Sequence, residues 1–152
     1  MCEKGGENVT AKEFLGRYTI AGGEIEALLD ELQRLRSLAE KTTMSFDNDG
    51  GASGSVNVNK IPNAVEKIME IEEDIGKRVA ELATIRIDIY NTVCKVKDGK
   101  LRIILLRRYI ADESFERIAY EMGYNHHYLT HKIHNDALEE VEKVLKDVPK
   151  TT

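Results

Sequence analysis

Between Pro62 and Pro149 the chain runs for 86 residues without a proline. No other residue both removes a backbone donor and clashes with the preceding turn, so nothing in that stretch obliges a helix to stop. Tryptophan is absent and aromatics make up 6% of the 152 residues, which argues against the aromatic and β-branched cores of sandwiches. An all-α fold is expected. A charged fraction of 32% suits helices with long solvated faces, and 41% hydrophobic residues suffice for a core and exclude a wholly disordered chain. The length fits one ordinary domain, or a small domain with a helical appendage, and disfavours a multidomain enzyme.

Thr10 and Glu13 form a capping-box pattern at the start of the first helix. Phe14, Leu15, Tyr18, Ile25, Leu28, Leu29, Leu32, Leu35 and Leu38 then recur at helical spacing. Gly22-Gly23 reads as a bend or weak point, since each glycine costs about 1 kcal/mol in a helix relative to alanine. Residues 45–59 are rich in Gly, Ser, Asn and Asp and read as a loop, after which Pro62 suits a first helical turn. From Val65 to Val93 apolar residues alternate by threes and fours, among them Ile68, Ile75, Val79, Leu82 and Ile89. Residues 10–94 are thus expected to form a long antiparallel helical hairpin, coiled-coil-like. Its stripe can pack within the chain or pair with a second copy in a homo-oligomer, and the periodicity allows both.

Asp98-Gly99 breaks the pattern, and shorter helices are expected at Lys100 to Ile110, Ser114 to Met122, and Asn125 to about Lys146. The three-residue break Gly123-Tyr124-Asn125 has the length of a helix-turn-helix corner, with Ser114 and Asn125 as N-caps. Residues 99–147 are therefore expected to be a compact three-helix module. Ile118, Ala119, Met122, Leu129 and Ile133 supply its apolar seam.

The net charge of −5 conceals an asymmetry: residues 1–94 carry −6, whereas 95–135 hold 8 basic against 5 acidic side chains. A polyanion would meet the C-terminal part. His126, His127, Thr130, His131 and His134 are read as outward on the second helix, a surface of donors and acceptors. A helix N-terminus fits a major groove about 12 Å wide, where first-turn side chains reach base edges and basic groups hold phosphates. The base-contact candidates are His126, His127, Thr130 and His131; the phosphate-contact candidates are Arg107, Arg108, Arg117, Lys132 and His134. Arg107 and Arg108 could equally pair with Asp112, and Arg117 with Glu121.

Arg108-Tyr109, Ser114-Phe115, Ile118-Ala119, Met122-Gly123-Tyr124, and His134 followed by Ala137-Leu138 give the segment a resemblance to the DNA-reading helix-turn-helix of sigma factor region four. The chain resembles a family of small phage-encoded regulators in which a helical hairpin precedes such a module. One departure is that Leu129 and Ile133 stand four residues apart where the sigma pattern has three, which bears on the rotation of the reading helix. The resemblance implies a phage or prophage transcriptional regulator that binds double-stranded DNA. The alternative is a module that docks RNA polymerase or a sigma factor without reading DNA.

Other chemistries find little support. His127, His131 and His134 at i, i+4 and i+7 have a metal-ligand spacing, but no cysteine or acid lies beside them to complete a site, and no metal or cofactor is expected. No phosphate-binding glycine loop or activated nucleophile is present, so an enzyme is not expected; the acidic run Glu70 to Asp74 reads as a solvated helix face. Cys2 and Cys94 form no CxxC pair, no apolar run approaches the roughly 18 to 20 residues needed to span a bilayer, and the first 15 residues are charged. A cytoplasmic protein without a membrane partner is expected.

Overall fold

The computed structural model describes residues 9–47 and 60–147. Its elements are α1 (Ala11–Asp47), α2 (Lys60–Cys94), α3 (Gly99–Tyr109), α4 (Phe115–Met122), α5 (His126–Tyr128), a π-helical turn (Leu129–Ile133) and α6 (His134–Asp147). The fold is all-α, with no strand among the described residues. No described helix is long and apolar enough to cross a membrane.

The Thr10–Glu13 box forms as its spacing requires: the Thr10 amide donates to Glu13 Oε2 at 3.1 Å, and the Glu13 amide donates to Thr10 Oγ1 at 3.3 Å. α1 continues through Gly22 and Gly23, so the helix does not stop there. It also takes in residues 45–47 of the expected loop; residues 48–59 lie outside the described residues. Pro62 stands in the first turn of α2.

The chain divides into two compact units, one holding the described residues up to Ile20 and from Ala83 onward, the other Ala21–Leu82. The boundary expected between 94 and 99 therefore falls inside a unit. In the Ala21–Leu82 unit, Glu24 pairs with Arg78 and Arg36 with Glu72, so numbers rising along α1 meet numbers falling along α2 and the pairing is antiparallel. Ile25, Leu32 and Ile71 are buried in it, whereas Leu29, Leu38, Val65 and Val79 are exposed.

The other unit has two cores. In the first, Ala11 and Leu15 of α1 and Ile89 and Val93 of α2 pack with Val96, Leu105, Ala137 and Val141. The two ends of the long helices are thus part of the same core as α3 and α6, which is why the unit boundary lies up the helices. Each buried Leu, Ile or Val there stabilises by about 1.5–3 kcal/mol. The second core holds Ile104, Ile118, Ala119, Leu129 and Ile133, with Phe115, Met122 and Tyr124 packed against it. Arg102 of α3 holds the link from α2 by donating to the carbonyls of Val96 at 2.7 Å and Lys97 at 3.0 Å.

Candidate nucleic-acid interface

The corner between α4 and α5 is built from local chemistry. Ser114 caps α4 by accepting from the Arg117 amide at 3.2 Å. At the other end Gly123 adopts φ 73, the left-handed region that a side chain disfavours. The Tyr124 amide then reaches the Ala119 carbonyl at 2.8 Å and the Gly123 amide reaches that of Tyr120 at 3.4 Å, the paired bonds of a Schellman stop. Asn125 opens the next helix, its Oδ1 accepting from the amides of His127 at 2.9 Å and Tyr128 at 3.3 Å. Ile118 and Leu129, both fully buried, hold α4 and the last helix together beneath this corner.

On the outer side the structure brings His126, His127 and His131 to one exposed end of the helix. The rings of His127 and His131 stack, centroids 4.1 Å apart and planes 9° from parallel. Thr130 is placed differently from the expectation of a base contact. It is half-buried, and its hydroxyl lies 3.0 Å and 3.2 Å from the carbonyls of His126 and His127 and 2.8 Å from His131 Nδ1, so it braces the helix instead of facing outward. Lys132 is exposed beside this end, its Nζ 3.0 Å from Asp136, and that partner raises its pKa.

The four-residue step from Leu129 to Ile133 coincides with the π turn. The His134 amide bonds to the Leu129 carbonyl, an i to i+5 closure that holds one more residue than an α turn. In an unbroken α-helix His134 would stand about 140° around the axis from Leu129; the extra residue takes out roughly 100° and returns it to the core side. Thr130 Oγ1 on the carbonyls of the preceding turn and Asn135 Nδ2 on the His131 carbonyl, at 2.7 Å, occupy acceptors next to the distorted turn.

His134 is therefore not a phosphate contact. It is 8% exposed, its Nε2 lies 2.6 Å from the Tyr109 hydroxyl, and its ring meets Phe115 edge-on at 4.8 Å. Burial, with the cations Arg108 and Lys12 adding to it, pushes its pKa down to about 4, so the ring is neutral at pH 7. The π turn also removes it from the face that His127 and His131 share, so the three-histidine row read from spacing does not exist. Arg107 is likewise a correction: its guanidinium is held by Glu113 at 2.7 Å and by Glu121, leaving 22% of the side chain exposed and its charge compensated. Arg108 neither points freely outward nor pairs with Asp112. Its guanidinium lies 4.2 Å from the centre of the Phe115 ring and donates to the Glu113 carbonyl at 3.1 Å.

Arg117 remains exposed, its Nε 3.1 Å from Glu121. Two residues that sequence reasoning passed over share the module's surface, Tyr120, 87% exposed, and Tyr128, half of it exposed. The signal for Tyr120 was its phase on α4: it follows the inward Ala119 directly and so turns away from the seam. No family model matches the chain, and neither a curated protein nor a solved structure does.

Proposed function

We propose that the chain binds double-stranded DNA through the first turns of the last helix, as a cytoplasmic transcriptional regulator of the phage type whose motif it resembles. One observation carries the reading. A glycine-stopped, Asn125-capped corner presents His126, His127 and His131 outward while Leu129 and Ile133 seat the same helix on α4. Imidazoles in that position can donate to or accept from base edges in the major groove. Lys132 and Arg117 would hold phosphates, since each is tied only to an i,i+4 carboxylate worth a few tenths of a kcal/mol, which a phosphate can replace. The exposed apolar residues Val65 and Val79 of α2 and Leu29 and Leu38 of α1 support a homo-oligomer through the hairpin. A dimer would call for paired half-sites.

The test is footprinting on the DNA that flanks the protein's own gene. A protected stretch whose strongest protection falls in the major groove is expected, and uniform or absent protection would count against the reading. A second reading has its own support: Tyr120 and Tyr128 are exposed aromatics, a residue type enriched at protein interfaces, and the basic candidates Arg107, Arg117 and Lys132 already have acidic partners. It makes the module a docking piece for RNA polymerase or a sigma factor. Co-migration with purified polymerase by a protein that binds no duplex would select it.

A further inference from the structure

A groove of about 600 Å³ opens in the unit that holds the reading helix, lined by the start of α1, the end of α3, Phe115 and the last helix. Sites for small molecules span roughly 300–1,000 Å³ and combine apolar walls with a few placed polar groups. The apolar part here comes from Ile20, Tyr109, Phe115 and Leu138. The polar part is dominated by two cations, Lys12 and Arg108, against a single carboxylate, Asp112.

Several basic side chains of this unit are without an ion pair among the described residues, and of these Lys12 and Arg108 both line the groove. Arg107, Arg117, Lys132 and Lys143 all ion-pair, whereas neither Lys12 nor Arg108 meets a carboxylate within ion-pair distance among the described residues. Arg108 is also held in place, by the Phe115 ring and the Glu113 carbonyl, which occupies one guanidinium nitrogen and leaves further donors for a ligand. Their uncompensated field reaches the groove wall at His134, where both act to keep the ring neutral. A bound anion would supply the charge that the protein does not.

We propose that this groove binds a small molecule with an anionic head group, carboxylate or phosphate, on an aromatic or aliphatic body. Lys12 and Arg108 engage the head group, and Tyr109, Phe115 and Leu138 cover the body. Thr130 and His134 stand in the same wall, so the ligand would lie against the π turn.

Calorimetric titration of the full chain with phenyl phosphate and with 4-phenylbutyrate tests this without any duplex present, so its outcome is separate from that of DNA binding. Saturable binding of at least one probe is expected, with movement of the His134 ring signals in NMR, and comparison of the two identifies the preferred head group. Inorganic phosphate and phenol should each bind far more weakly. Lys12→Gln, an exposed position outside both cores, should weaken the probe about tenfold, as loss of a charge-assisted contact does. Asp112→Asn should strengthen it about threefold by removing the opposing charge. Asp112 has φ 54, and asparagine tolerates that conformation as well as aspartate does, so this variant should fold. Failure of both probes to saturate would overturn the proposal. So would phosphate binding as well as phenyl phosphate, an adventitious anion only, or unchanged affinity in Lys12→Gln.

Discussion

His134 ties one ring to both packing and pH. Its pKa is pushed down to about 4 from the usual 6.5, so between those values the unfolded chain binds a proton that the folded chain refuses. Its contribution is complete above about pH 6.5 and declines as the pH falls, by up to about 3 kcal/mol near pH 4. Thermal unfolding followed from pH 7.5 to 5 should show a falling midpoint in the wild type and a flatter profile in His134→Gln, and parallel profiles would contradict the assignment. This residue also marks how far local pattern carries. Ile118, Ala119, Leu129 and Ile133 were legible as core because they are the apolar positions on either side of a recognisable helix-turn-helix corner. His134 was not, because the period changes by one residue between it and Leu129. Arg107 was illegible for another reason: its partner Glu121 lies fourteen residues away, beyond any local rule.

At the scale of elements, α1 crosses Gly22 and Gly23 as helix even though each glycine weakens it. Continuity comes from packing on either side, at Leu15 in one unit and at Ile25 and Leu32 in the other. Propensity alone marked the pair as a weak point, and burial on the neighbouring turns offsets it. A Cβ added at either glycine meets no atom within 4 Å, so Gly22→Ala and Gly23→Ala should each stabilise the protein by about 0.5–1 kcal/mol in denaturant titrations. Gly123 should respond with the opposite sign. Its Cβ also has space, yet φ 73 penalises any side chain, and Gly123→Ala should cost about 1–2 kcal/mol. Equal effects at the two sites would mean that conformation does not set the corner. Ile118→Asp would bury an unpaired carboxylate against Leu129, a loss of several kcal/mol that should abolish the cooperative transition of this unit.

For the whole molecule, the all-α class, the antiparallel hairpin and the helix-turn-helix order followed from proline spacing, apolar period and caps. The division into units did not, because it depends on Leu15 meeting Ile89 and Val93 beside Leu105 and Val141, contacts between segments far apart in sequence. A fragment of residues 99–147 lacks five of the eight buried residues of that core and should show little cooperative unfolding by circular dichroism, whereas an autonomous melt would restore the boundary near 98. If the exposed first turns of the last helix meet duplex DNA as proposed, base-reading and phosphate-holding side chains must respond differently to salt and to sequence. Wild type, His131→Ala and Lys132→Ala would be titrated by fluorescence anisotropy against one footprinted site and one random duplex at several salt concentrations. Lys132→Ala should weaken both duplexes alike and make the slope of log affinity against log salt shallower by about 1. His131→Ala should cost about 1–3 kcal/mol on the footprinted site alone, with the slope unchanged. Equal losses on both duplexes for a folded His131→Ala, or no duplex binding by the wild type at low salt, would contradict the account.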